Sequence, residues 1–473
     1  MTIKKILIGG EWSEASESFT VSSPYTGDPV AEVYSANESE TAEAVSFGLS
    51  GAREMRKLAR FQIAKGLRRV ADGISARKDE FARTIALEAA KPVSLARGEV
   101  ERAISTFNWA AGEAERFVGS VVPVDVQPNG RGKTAWTERI PRGVIYGITP
   151  FNFPINLVAH KVAPALAAGN AIIIKPSQRT PLTSLLLGEV FMQSGLPGSA
   201  LQIVPMDVKY MDAVFEDERV AMISFTGSAA VGWKLKQKAG KKAIALELGG
   251  NAPVIIDETA DIQRSVDKTL TGAFAYAGQI CISVQRVYIQ QSVFDDWTEK
   301  LIAGAGNLIK GDPLDERTQL SVMIDEDAAK KAESWVKEAV DNGAKILCGG
   351  GRDGSTLEAT VLTGTDPEMH VVSEEIFAPV VVVEKFSDFA GAVDMANNTK
   401  YGLQAGVFTR DLANMNYAAA NLEFGGVIVN DVPTFRVDNM PYGGSKDSGF
   451  GREGVRYAME EMSEIRLIVV SEK

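Results

Sequence analysis

From Arg142 onward the sequence alternates short apolar runs with helical ones, and this alternation restricts the possible folds more than any other feature. Gly143 to Thr149 reads as a strand, Pro154 to Ala168 as an apolar helix, and Ala171 to Lys175 as a strand ending in a cation. Thr180 to Ser194 then reads as helix, and Ala200 to Val204 and Ala221 to Phe225 as strands. Apolar strands separated by helices require a parallel sheet covered on both faces, the doubly wound α/β class. Ligands of such sheets sit at the carboxyl ends of the strands. The last of these strands runs into Thr226-Gly227-Ser228-Ala229-Ala230-Val231-Gly232, where glycine allows a phosphate to approach a helix amino terminus. It is not the G-x-G-x-x-G pattern, and the same residues also start ordinary helices.

A second α/β block follows. Glu247-Leu248-Gly249-Gly250-Asn251 leads into a strand at Pro253 to Ile256, Asp261 to Tyr276 reads as helix, and Val284 to Ile289 alternates as a strand should. Between them lies Gly278-Gln279-Ile280-Cys281-Ile282-Ser283, a cysteine in small, uncharged surroundings at a helix-to-strand junction. The other cysteine, Cys348, closes a short apolar run before Gly349-Gly350. A lone cysteine is ordinarily a small buried hydrophobe; a nucleophile also needs a base, an oxyanion donor and access. Helices are expected at Phe294 to Ala305 and Asp327 to Asn342, and strand character at Val371 to Val382.

Before the first block, Ile3 to Ile8 reads as a strand and Pro24 to Pro29 as a turn-rich link. Helices follow at Thr41 to Gly51, Ala59 to Gly73, Lys78 to Ala90, where Lys91-Pro92 ends the run, and Arg97 to Ala114. Val121 to Val126 and Thr134 to Arg139 form a hairpin whose edges need a cover, which makes it an expected oligomer arm. After a helix at Gly454 to Met462, the β-prone stretch Ile465 to Val470 is expected to pair with the hairpin of a neighbouring subunit.

The 473 residues, 45% of them apolar, suffice for two domains. A net charge of -11 argues against nucleic acid as a partner. Two cysteines form no disulfide framework, and neither a signal-type h-region nor a run of about 18 to 20 apolar residues is present, so a cytoplasmic protein without membrane attachment is expected. His160 and His370 are the only histidines, too few for a histidine-rich metal centre, and no metal is expected.

Asn152, in Thr149-Pro150-Phe151-Asn152-Phe153-Pro154, either caps the following helix or points its amide at a developing oxyanion. Together with Glu247-Leu248-Gly249-Gly250 and Gly278-Gln279-Ile280-Cys281, it makes the chain resemble the aldehyde dehydrogenase superfamily over nearly its whole length. Ile173-Ile174-Lys175-Pro176-Ser177, Phe225-Thr226-Gly227-Ser228, Glu374-Glu375-Ile376-Phe377-Ala378-Pro379 and Pro441-Tyr442-Gly443-Gly444-Ser445-Lys446-Asp447-Ser448-Gly449 follow the family's order. The nearest members are the lactaldehyde and non-phosphorylating glyceraldehyde-3-phosphate dehydrogenases.

The resemblance implies residues 1–118 and 142–249 as an NAD(P)-binding domain, 250–453 as a catalytic domain, and 119–141 with 454–473 as an oligomerisation arm and tail. It implies Cys281 as nucleophile, Asn152 with the Cys281 N–H as oxyanion hole, and Glu247 as general base. NAD or NADP would lie along Thr149, Pro150, Phe151, Lys175, Ser177, Gln178, Gly227, Ser228, Glu247, Leu248, Gly249, Glu375 and Phe377. Neutral Gln178, where strongly NAD-preferring members often carry Glu, removes a repulsion toward a 2'-phosphate while Lys175 attracts one. Asn152, His160, Ile280, Cys281, Ile282 and Arg436 would line the substrate path, and an Arg436 ion pair with Asp431 or Asp438 is equally compatible. His160 and Arg436 point to a small polar aldehyde of lactaldehyde, glyceraldehyde or semialdehyde type, and the hairpin and tail strand point to a homodimer or homotetramer. Ile280, where phosphate-using relatives commonly have Arg, argues against a phosphorylated substrate, and Glu247 argues against acylation of coenzyme A. A broad-specificity enzyme for aliphatic or aromatic aldehydes, a structural use of the fold, and a nucleic-acid site are the alternatives.

Overall fold

The protein is described from a computed structural model that covers residues 3–471; residues 1–2 and 472–473, the outer ends of two of the expected segments, lie outside the described residues. Five strands, Val144–Ile148, Ala171–Lys175, Leu201–Ile203, Val220–Thr226 and Ala243–Glu247, run parallel, with the first strand in the middle, the second and third to one side and the fourth and fifth to the other. Ile6–Ile8 and Glu11–Ser13 extend one edge, and Gly449–Phe450 closes the other, antiparallel to Ala243–Glu247 with Glu247 opposite Gly449.

The alternation of side chains along a strand explains why the central strands are apolar throughout. Ile172 and Ile174 enter the core shared with Val70, Phe107 and Val158, whereas Ile173 enters the core on the other face with Val45, Tyr146 and Phe215. All three isoleucines are completely buried, and each contributes about 1.5–3 kcal/mol relative to an exposed position. The helices begin where local chemistry allows. Asn37 Oδ1 accepts from the N–H of Ser39 at 2.7 Å, and Glu40 reaches back to the Asn37 N–H at 2.9 Å, so a capping box opens the helix Glu38–Met55.

The second sheet has the order Lys345–Cys348, Thr360–Thr363, Val380–Phe386, Val284–Gln290, Ala252–Ile256, Gln404–Phe408, Gly426–Val429, parallel except for the first strand. A third, small sheet joins Val121–Val122, Lys133–Pro141 and Ser463–Ser471. No helix among the described residues is long and apolar enough to cross a membrane.

Three expectations are corrected. The tail strand pairs with the hairpin of its own chain, from Ser463 opposite Pro141 to Ser471 opposite Lys133, because the terminal helix Val455–Glu461 delivers it there in register. The helix expected to reach Tyr276 stops at Phe274, and Tyr276 and Ala277 take left-handed φ of 51° and 52°. Gly278 (φ 68°) packs so closely that a Cβ there would stand 2.1 Å from the Ala378 carbonyl oxygen, and this approach overrides helix propensity. Within Val371 to Val382 only Val380–Phe386 is a strand, preceded by the short helix His370–Ser373. The side-chain amides of Asn251 and Gln285 take the carbonyls of Val371, Val372 and Glu374, so these backbone groups have no need of a strand partner. The turn expected at Pro24 to Pro29 is present, and it joins two strands, Glu17–Ser22 and Pro29–Ser35, that bury Val21, Ala31 and Val33.

Candidate active site

The order of the first sheet reverses between Val144–Ile148 and its neighbours, so the loops after Ile148, Lys175 and Thr226 open on one crevice. A cavity of about 830 Å³ there is lined by Thr149, Pro150, Phe151, Lys175, Ser177, Gln178 and Gly227. A second, of about 290 Å³, is lined by Asn152, Ser228, Glu247, Leu248, Gly249, Cys281, Glu375 and Phe377. The two share Pro150, Phe151, Thr226 and Gly227 and so form one path from the lysine to the cysteine.

The long part of this path fits a dinucleotide. Burial pushes the Lys175 ammonium down to about 8 against the pull of Asp207, so an arriving anion would meet a poorly solvated cation. Ser228 begins the helix Ala229–Lys238 without capping it through its side chain. At the other end Glu375 accepts from the Gly250 N–H at 3.0 Å, and burial raises its carboxyl to about 7. Gly249 makes this possible: a Cβ there would stand 2.2 Å from Glu375 Oε2. The rings of Phe151 and Phe377 meet edge to face at 6.0 Å, with Phe377 in a left-handed conformation (φ 53°).

Cys281 is half-buried, and its sulfur lies 2.9 Å from the Tyr442 hydroxyl. Burial pushes its thiol up to about 11, opposed by the Tyr442 hydrogen bond and by the Arg436 guanidinium, while Glu375 and Glu247 act with burial. The buried Asn152 amide donates one N–H to the Gln279 carbonyl at 2.9 Å, two residues before the cysteine, and its second N–H remains for another acceptor. The Asn152 carbonyl accepts from Lys91 Nζ at 2.6 Å. Lys91 also pairs with Glu99, which takes the N–H groups of Ile155 and Asn156 at 3.0 and 3.2 Å and so caps the helix Asn156–Ala167. Asn152 therefore does not cap that helix through its side chain.

Glu247 is buried, with neither carboxylate oxygen hydrogen-bonded to protein. Burial raises its pKa well above the usual range, and the Glu453 carboxylate adds to this against Arg436, Lys161 and Arg452. Glu453 itself is held down to about 2, because Lys161 and Arg436 outweigh its burial.

His160, Ile280, Ile282 and Arg436 line neither cavity segment. Ile280, Ile282 and Cys281 pack with Tyr442 and Leu403. His160 is buried against Asp438, Nε2 to Oδ1 3.0 Å, and burial lowers its pKa. Arg436 pairs with Glu453 at 3.1 Å rather than with Asp431, which holds Lys268, or Asp438, which holds His160 and Arg102. Its guanidinium lies 3.7 Å from the centre of the Tyr442 ring, and its buried Nε has no partner. Tyr442, Lys91, Glu99, Lys161, Arg102 and Glu453 were not singled out from sequence. Only Tyr442 carried a signal, as the aromatic of Pro441-Tyr442-Gly443-Gly444.

A doubly wound sheet opening on a path that ends at a cysteine, an amide and a buried carboxylate defines a dehydrogenase-type oxidoreductase. The sequence pattern of the aldehyde dehydrogenase family matches residues 12–468, and the chain belongs to that family, an enzyme acting on aldehydes. The 3-sulfolactaldehyde dehydrogenase of Priestia aryabhattai is 40% identical over 468 residues, 98% of each chain. Aldehyde dehydrogenase 21 from Physcomitrella patens, solved with the reaction product succinate, superposes with a TM-score of 0.98 at 41% identity, covering 99% of this chain and 98% of that one. The GapN glyceraldehyde-3-phosphate dehydrogenase of Methanocaldococcus jannaschii, solved with NADP, gives 0.92 at 38% identity, covering 96% and 99%.

Proposed function

We propose that this enzyme oxidises a small polar aldehyde to the carboxylic acid with NAD or NADP, through a thioester on Cys281. The observation that carries the reading is the single cavity that Asn152, Glu247 and Cys281 share with Glu375 and Phe377. The Cys281 thiol gives its proton to water, and the sulfur bonds to the aldehyde carbon while the carbonyl π pair moves to oxygen, where the second Asn152 N–H and the Cys281 N–H receive it. A bound nicotinamide supplies the acceptor for the hydride that leaves the thiohemiacetal carbon. Glu247, made more basic by burial, then removes a proton from water, which attacks the thioester carbon; the C–S bond breaks and its electron pair returns to sulfur.

The cofactor would extend from Lys175, Ser177 and Gln178 past Gly227 and Ser228 to Leu248, Gly249, Glu375 and Phe377. With a neutral Gln178 beside Lys175, use of NADP as well as NAD follows. Behind Tyr442, Arg436 is paired with Glu453 yet keeps a buried Nε without a partner, and Arg102 is paired with Asp438. The free Arg436 N–H is a donor that a substrate hydroxyl, carboxylate or sulfonate would satisfy. The three relatives act on, or were solved with, molecules of that kind. The same reading takes 1–118 with 142–249 as the dinucleotide domain, 250–453 as the catalytic domain, 119–141 with 454–473 as an oligomer arm, and the enzyme as cytoplasmic.

The test is an initial-rate panel of lactaldehyde, glyceraldehyde, glyceraldehyde 3-phosphate, succinate semialdehyde, benzaldehyde and hexanal, each with NAD and NADP, beside Cys281→Ala. Preference for the short polar aldehydes and an inactive Cys281→Ala are expected. Preference for benzaldehyde or hexanal would overturn the substrate class, and turnover by Cys281→Ala would overturn the mechanism.

A further inference from the structure

The Tyr442 hydroxyl is the hydrogen-bond partner of the Cys281 sulfur, at 2.9 Å. The tyrosine is buried, packs with Ile282 and Leu403, and lies under the Arg436 guanidinium, 3.7 Å from the ring centre. Arg436 is in turn held by Glu453, which also binds Lys161 at 3.3 Å. A phenol so tightly clamped keeps one orientation, and it offers sulfur a donor at no cost in reorganisation.

We propose that Tyr442 is a further catalytic residue, whose O–H donates to the Cys281 sulfur and stabilises it as a thiolate, both before attack and as the leaving group when the thioester is hydrolysed. This rests on the reading of Cys281 as nucleophile. Before attack the thiol gives its proton to water, and the anion that remains accepts from Tyr442; no proton leaves the tyrosine. On hydrolysis, water adds to the acyl carbon, the C–S bond breaks with its electron pair going to sulfur, and the same O–H receives the new charge. The charged groups facing the sulfur are Arg436, which favours the thiolate, and Glu247 and Glu375, which oppose it. Burial works against the thiolate and Arg436 alone among these charged groups favours it, so a neutral donor adds to its stability.

The experiment reads the thiol directly, without cofactor. In a Cys348→Ser background, the second-order rate of alkylation of Cys281 by iodoacetamide is followed by intact mass between pH 6.5 and 9. Tyr442→Phe keeps the ring beneath Arg436 and removes only the donor. The loss of a hydrogen bond to a charged acceptor raises the thiol by about one to two units. The more basic thiolate is the better nucleophile, which returns part of the rate, so alkylation is expected to slow about three- to tenfold at each pH. Incorporating 3,5-difluorotyrosine at 442, a stronger donor, is expected to accelerate it, a graded response that packing alone would not give. Cys281→Ala is expected to abolish both alkylation and turnover. If it still turns over aldehyde, the nucleophile assignment falls. If it is inactive but the Phe and difluorotyrosine proteins alkylate at the parental rate, only the role of Tyr442 is overturned. The difluorotyrosine protein keeps the test decisive should the Phe protein fail to fold.

Discussion

Lys91 is the residue whose loss should reach furthest. It is 1% exposed, paired with the similarly buried Glu99, hydrogen-bonded to the Asn152 carbonyl, and set 3.7 Å from the Phe153 ring centre and 4.5 Å from that of Tyr276. It thus ties the segment carrying the Asn152 amide to the left-handed turn that leads into Cys281. Lys91→Met keeps the stem and removes the charge. Breaking a buried pair by removing one partner costs about 3–5 kcal/mol, since Glu99 is left with only two backbone N–H donors. Unfolding 473 residues as one unit carries an entropy of about 1 kcal/mol/K near the midpoint, so Tm should fall by about 3–5 °C, and by more if a smaller unit melts. A complete loss of an oxyanion donor costs about 10²–10³ in kcat. A merely loosened Asn152 should lose about tenfold, with little change in KM for the aldehyde. The double variant Lys91→Met/Glu99→Gln, which leaves no unpaired charge and keeps an acceptor for Ile155 and Asn156, should recover much of the Tm but not the kcat. The assays are scanning calorimetry and steady-state kinetics. A single variant with unchanged Tm and kcat would refute the reasoning.

Glu247→Gln should reduce steady turnover at least about 100-fold while one equivalent of NAD(P)H still forms per active site, since only deacylation needs the base. It should also stabilise the fold at alkaline pH. The Glu247 pKa in the native state lies above its unfolded value of about 4.5, so the native state binds the extra proton between the two values. Stability from the neutral carboxyl is complete below the unfolded value and is lost as pH rises through the native one. The Tm gain of Glu247→Gln should therefore be larger at pH 8 than at pH 5, and an equal gain at both would contradict the burial argument. The tail strand exposes Ile465, Leu467, Val469 and Val470, and the adjoining hairpin exposes Val121, so sizing at micromolar concentration should give a dimer or tetramer; a monomer would remove the proposed arm.

Much of this molecule is legible in its sequence because the signals are local. Period and apolarity place the strands around Ile145, Ile173 and Val287, since a strand buried on both faces admits little else. Cys281, Asn152 and Glu247 are visible because each sits in a short motif at the end of a strand or helix. What depends on contacts distant in sequence is not visible. The stretch Val371 to Pro379 was expected to be strand and is not, because Asn251 and Gln285, more than 80 residues away, take its carbonyls. Lys91 reads as a helix end, and only folding brings it beneath Asn152, 61 residues on. Arg436 has acidic neighbours in its own loop, yet tertiary packing gives it Glu453 and the Tyr442 ring instead. The sequence by itself determined the parallel sheets and pointed to the sulfur proposed to react, because periodicity and motif are properties of neighbouring residues. The tertiary structure alone decided which charges and hydroxyls surround that sulfur, because a buried charge takes whichever partner the packing brings within a few ångströms.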